Sequence, residues 1–196
     1  MAIKVNDGVS PELRRIADLV ERPKVLLQAG AKAVQVAITA KLKQLQEKGN
    51  ANGWPSQKFF AGGRNSVEKN VGITSVTDEK AVIDIADVRF AHHVKGGTVE
   101  AKRGKYLTIP LTPEAYAKAG KGSLRESWPG LKLVTFGRNR FLATVVGKVV
   151  TLQFLLKERV THKPHPESLP DPAVLNAKAQ EAMIKVGNRL LNAKSV

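Results

Sequence analysis

Residues 90–111 read FAHHVKGGTVEAKRGKYLTIPL, and the fold turns on how that stretch is parsed. The spacing predicts an extended segment from Phe90, a break at Gly96-Gly97, a strand, a tight basic turn at Lys102-Arg103-Gly104, and a second strand closing on Pro110. Paired glycines admit backbone angles that side chains forbid. Tyr106, Thr108 and Pro110 alternate with Leu107, Ile109 and Leu111, the period of a sheet with one buried face. As neighbours on a strand, His92 and His93 would point to opposite faces. The segment makes structural sense without any catalytic group.

Upstream, two more strands are expected at 71–76 and 81–86, joined by the polar turn Thr77-Asp78-Glu79-Lys80. Downstream, Thr112-Pro113-Glu114 caps a short helix through Ala119, and 120–130 (GKGSLRESWPG) reads as a polar loop. A three-strand meander then covers 132–136, 140–146 and 148–159. Its second turn sets Gly147-Lys148 between two Val-Val pairs, with Gly where a two-residue type II′ turn wants it. The stretch 160–172 (VTHKPHPESLPDP) is too proline-rich for a helix or an inner strand.

Helices flank this β region. Ser10-Pro11-Glu12 opens one with Leu13, Ile16, Ala17 and Val20 on a face, and Arg22-Pro23 interrupts it. A longer one runs from about Pro23 to Lys48 and stops at Gly49, with Leu27, Ala31, Val34, Ile38, Leu42 and Leu45 as its apolar stripe. Asp171-Pro172 starts a final helix over 172–194. The class expected is α+β: an antiparallel sheet with an amino-terminal helical pair (1–48), a β core (71–160) carrying an insertion at 112–130, and a carboxyl-terminal helix, all in one domain over 1–196.

The chain of 196 residues has 32 Lys+Arg against 17 Asp+Glu, a net charge of +15 spread from Lys4 to Lys194. Such a field attracts polyanions, whether nucleic acid, an acidic membrane or an acidic protein surface. Dispersed charge indicates a globular body with basic faces rather than a basic tail. There is no cysteine, which removes disulfides, thiol catalysis and Cys-type metal sites. No uninterrupted apolar run reaches the roughly 18 residues of a membrane span, and the start MAIKVNDGVSPELRR lacks a signal-peptide core, so a cytoplasmic site of synthesis is expected.

Chemical constellations are sparse. The four histidines fall as His92-His93 and His162/His165, without the ligand spacing of a zinc signature. No G-x-S-x-G is present, and Asp84 and Asp87 do not form a carboxylate pair. Gly62-Gly63-Arg64-Asn65-Ser66 suggests a phosphate-cradling loop only superficially, because neither the P-loop pattern nor a strand feeding a helix accompanies it. No enzyme, cofactor or metal is expected. Trp54, Phe59 and Phe60 sit in the Gly-rich loop 49–66, where they either fold back onto the core or meet a partner, and with Trp128 of the second loop they are the candidate residues of an assembly interface. Lys102, Arg103, Lys105, Arg138 and Arg140 are the candidate contacts for a polyanion or an acidic partner.

The order of several short strings resembles the phage virion morphogenesis (tail-completion) family. They are Asn52-Gly53-Trp54-Pro55, His93-x-x-Gly96-Gly97, Lys105 through Leu111 (KYLTIPL), and Phe154 through Val160 (FLLKERV) with the proline-spaced connector behind it. The aromatic before the histidines is Phe90, preceded by Arg89. The resemblance implies a non-enzymatic structural protein at the head–tail junction or upper tail of a tailed phage, assembled in the host cytoplasm. It also implies a hexameric or dodecameric ring that meets neck, connector or tail-tube proteins and packaged DNA, with no membrane. The alternative from charge alone is a sequence-independent nucleic-acid-binding protein.

Overall fold

The computed structural model describes residues 17, 21, 23–49, 53, 58–102, 104–119 and 122–192. The helix expected over 10–20 lies almost wholly outside them, as do Trp54 and Arg103. The α+β class holds: helices accompany antiparallel sheets, with a long helix near the amino end and another at the carboxyl end. The chain divides into two compact units. One gathers the first long helix, Phe60–Val88 and the last helix; the other is built mainly of Arg89–Pro166.

In the first unit, α1 (Pro23–Glu47) begins on a proline, tolerated where the N–H would lack a partner anyway. Past its end Gly49 adopts φ +69° and donates its N–H to the Gln46 carbonyl at 3.2 Å. Ala31, Ile38 and Leu42 of the expected stripe are buried. By length and composition α1 would also pass for a membrane span, since an 18-residue window of it reaches a mean hydropathy of 1.2. Its Gly30, however, is closely approached by Met183 and Ala179 of α5 (Pro172–Asn192). A Cβ at Gly30 would lie 3.2 Å from Met183 Cγ, so an added methyl there requires the Met183 side chain to give by a few tenths of an ångström.

The Asp171 carboxylate accepts from the Ala173 N–H at 2.7 Å and caps α5 as expected. β1 (Val71–Val76) and β2 (Ala81–Ile85) form the hairpin read from the sequence, with an irregularity between Ile73 and Ser75. The Gln35 side chain ties α1 to this hairpin by donating to the Val71 carbonyl at 2.9 Å.

The second unit corrects the reading of residues 90–111. Val88–Lys95 is a helix, α2, and not an extended segment. Phe90, His93 and Val94 fall three and four residues apart on one face, and Phe90 is buried. A helical period therefore wins over the strand period, and the basic side chains of the last turn suit the negative end of the helix. Gly96, at φ +70°, terminates it. β3 (Gly97–Glu100) and β4 (Leu107–Pro110) follow, but they join different sheets.

The expected last meander strand is also two strands. β7 (Val149–Lys157) ends before Glu158, and β8 (Arg159–His162) leaves to pair with β3. Part of the proline-rich connector is thus sheet, and Pro166–Ser168 is a single 3-10 turn. The main sheet runs β4-β7-β6-β5, with β5 (Lys132–Phe136) and β6 (Asn139–Val146) as expected. Gly147 takes φ +60° between the paired Val146 and Val149, confirming the glycine-first turn.

Thr112 caps α3 (Pro113–Lys118), its hydroxyl accepting from the Ala115 N–H at 3.1 Å. The expected loop 120–130 contains one short helix, α4 (Leu124–Ser127). Where the β6–β7 register slips between Leu142 and Ala143, Gln153 turns inward and is buried. Its amide accepts from Thr112 Oγ1 and donates to Thr144 Oγ1, so the bulge is satisfied rather than strained.

Candidate functional site

Antiparallel pairing gathers cations at one end of the main sheet. Leu107 opposes Lys157, and Arg140 opposes Leu156, so the starts of β4 and β6 meet the end of β7. The β5–β6 turn, Gly137-Arg138, lies at the same end. The result is an open cleft of about 410 Å³ lined by Lys105, Arg138, Arg140, Lys157 and Arg159, with Glu158 as the one carboxylate among the described residues that line it.

Tyr106 organises this cleft. Its hydroxyl accepts a hydrogen bond from the Arg140 guanidinium, which also sits 5.4 Å from the ring centroid, while Lys105 Nζ lies 5.7 Å from it. Lys157 Nζ donates to Asn139 Oδ1 at 2.8 Å, which fixes a second cation. The structure thus brings three of the five candidate cations, Lys105, Arg138 and Arg140, into one cleft, and adds Lys157 and Arg159. Lys102 does not line the cleft, and Arg103 lies outside the described residues. The sequence signal for the two added cations was the KER triplet 157–159, read there only as the end of a strand.

Three of the four aromatic candidates, Phe59, Phe60 and Trp128, are half-buried. Phe59 is edge-on to His93 at 6.3 Å and faced by the Arg89 guanidinium at 5.4 Å. Trp128 packs edge-on to the fully buried Phe154 at 6.2 Å, and Lys118 Nζ lies 3.8 Å from its ring centroid. Trp54 lies outside the described residues.

The four histidines form a clasp that sequence reasoning missed. His93 stacks on His165 with centroids 4.9 Å apart, and His92 meets His162 edge-on at 5.7 Å. The His165 N–H donates to the carbonyls of His93 and Val94, at 3.2 and 3.1 Å, and so satisfies the end of α2. A Cβ at Gly96 would stand 2.7 Å from Pro164 N and 2.8 Å from the His162 carbonyl oxygen. One at Gly97 would stand 3.0 Å from His92 Cε1. The glycine pair is therefore there to let the connector lie against α2. Among the described residues no group of three or more His, Asp or Glu could hold a metal ion.

The loop Gly62–Ser66 closes on a carboxylate of the chain itself. Glu68 Oε1 accepts from the Gly62 N–H at 2.6 Å and from the buried Ser66 hydroxyl at 3.4 Å. An anionic group of the protein already takes the place that a phosphate would seek.

A second exposed feature is apolar. β4 covers only Phe154–Lys157 of β7, and β5 covers only residues 139–143 of β6. Residues 144–151 (TVVGKVVT) therefore run on as a two-stranded ribbon. Val145 pairs with Val150 on one face and Val146 with Val149 on the other. All four valines are exposed, Val146 by 77% and Val149 by 65%.

No family model matches the chain, and neither a curated protein nor a solved structure matches it.

Proposed function

We propose that this chain is a non-enzymatic structural subunit of a tailed-phage virion, acting in head–tail joining or tail completion as a homo-oligomeric ring. The motif order quoted above supplies the virion context, and the valine ribbon carries the assembly argument. A lone two-stranded ribbon is marginal in water, and unpaired strand edges invite a neighbouring strand. This one is apolar on both faces, and Lys148 is its single charge. Helix α5 points the same way: none of its residues is buried, and Val174, Ile184 and Leu190 are exposed. Apolar surface left in water by the single chain is surface that association would bury, at roughly 25 cal/mol per Å². Neck, connector or tail-tube proteins are the expected neighbours.

The test compares the solution mass of the wild-type protein with that of a Val146→Glu/Val149→Glu variant by light scattering. The wild type is expected to reach a ring-sized mass, alone or on addition of neck and tail proteins. The variant is expected to stay monomeric with an unchanged circular dichroism spectrum, because both positions are exposed in the single chain. A wild type that remains monomeric under every condition, or a variant that assembles as well as the parent, would overturn the reading.

A further inference from the structure

We propose that the basic cleft at the end of the main sheet binds the phosphodiester backbone of nucleic acid and reads no bases. The inference goes beyond the structural role, since the cleft and the valine ribbon are separate features and either could fail alone.

Charge density is the first argument. Among the described residues, five cations face one carboxylate around a single cleft of about 410 Å³. Each strand of a duplex offers a phosphate for every ~3.4 Å of helix axis, a regular and uninterrupted supply of anions. The lining is the second argument. Leu156 is its one apolar side chain and is itself buried, so the cleft offers little to the apolar parts of a peptide ligand. Arg138, Arg140 and Arg159 instead present planar forks that suit phosphate oxygens in pairs.

Tyr106 decides the mode. Stacking of bases on an aromatic platform needs a free ring face. Arg140 and Lys105 already stand within cation–π distance of the Tyr106 ring, and its hydroxyl is engaged by Arg140. The ring is committed to holding a guanidinium in place, and the remaining N–H groups of that guanidinium are left for phosphate. Contacts of this kind position a strand and carry no sequence information.

The experiment uses the full chain and fluorescence polarisation with two labelled duplexes of unrelated sequence, titrated at several salt concentrations. Both duplexes should bind equally, and affinity should fall linearly on a log–log plot against salt. Arg138→Ala and Lys105→Ala, at exposed positions outside the strand ladders, should each lower the salt slope by about one. Glu158→Gln should tighten binding. Lys43→Ala, on α1, should leave the slope unchanged.

Three results would overturn the proposal. Displacement of the duplex by polyglutamate at equal charge would assign the cleft to acidic protein. A loss from Lys43→Ala as large as that from Arg138→Ala would make the attraction a property of net charge. Much tighter binding of one duplex than of the other would mean that bases are read. None of these results bears on the mass measurement above, so the two readings stand or fall apart.

Discussion

Replacing Gly96 by alanine tests why the chain needs its glycine pair. The residue sits at φ +70°, where a side chain costs about 1–2 kcal/mol relative to glycine. In addition, the new Cβ would fall 2.7 Å from Pro164 N and 2.8 Å from the His162 carbonyl oxygen, both backbone atoms held by β8 and by the His165 bonds to α2. Neither can move without opening the clasp, so a further ~1–3 kcal/mol of overpacking is added. The expected total is roughly 2–5 kcal/mol, or about 5–15 °C in Tm at this chain length. Gly104→Ala isolates the first term, since Gly104 has φ +94° and nothing within 4 Å of the added carbon. Gly72→Ala isolates neither, because its φ is not positive and its surroundings are open. Thermal and urea unfolding followed by circular dichroism should rank the three Gly96, Gly104, Gly72 in falling cost. Equal losses at Gly96 and Gly104 would refute the close-approach argument and leave only backbone strain.

Two further substitutions have signs fixed by the packing. Gly30→Ala should stabilise by about 0.5 kcal/mol: it gains up to ~1 kcal/mol of helix propensity, and the atoms it crowds, Cγ and Sδ of Met183, belong to an unbranched side chain with three rotatable bonds that can shift by a few tenths of an ångström. Urea midpoints would show this, and a loss of stability would mean that α5 cannot yield. Thr112→Ala should cost about 1–2 kcal/mol, because it removes the cap of α3 and leaves buried Gln153 short of a donor. Thr112→Ser should recover most of that loss in the same assay.

What the sequence showed clearly was local. The β1–β2 hairpin, the stop at Gly49, the Thr112 and Asp171 caps and the Gly147 turn each follow from residues a few positions apart. Val88–Lys95 was opaque for the opposite reason. Its eight residues are too few for a helical period to outvote two valines, and the partners that bury its face lie elsewhere in the chain. The pairing of β3 with β8 joins Gly97 to His162, and nothing local to GTVE or RVTH announces it. For the same reason the histidines read as two unrelated pairs, although each member of one finds a ring of the other. The cleft was half legible: Lys105, Arg138 and Arg140 were among the candidate contacts for a polyanion or acidic partner, whereas Lys157 and Arg159 became members only through the β4–β7–β6 register.

The two surfaces respond to salt in opposite directions, which lets one titration separate them. Each copy carries a net charge of +15, so bringing copies together through the valine ribbon works against their mutual repulsion. Raising ionic strength shortens the screening length from about 10 Å at 0.1 M to about 3 Å at 1 M, removing that opposition and leaving apolar burial intact. Assembly should therefore strengthen as salt rises. Binding at the cleft depends on counterion release and should weaken over the same range. A polyanion bound at low salt neutralises part of the same charge, so duplex DNA should lower the protein concentration needed for assembly there and lose that effect at high salt. If DNA and salt instead shifted assembly in the same way at every ionic strength, the cleft would be acting as undifferentiated positive charge and not as a phosphate site.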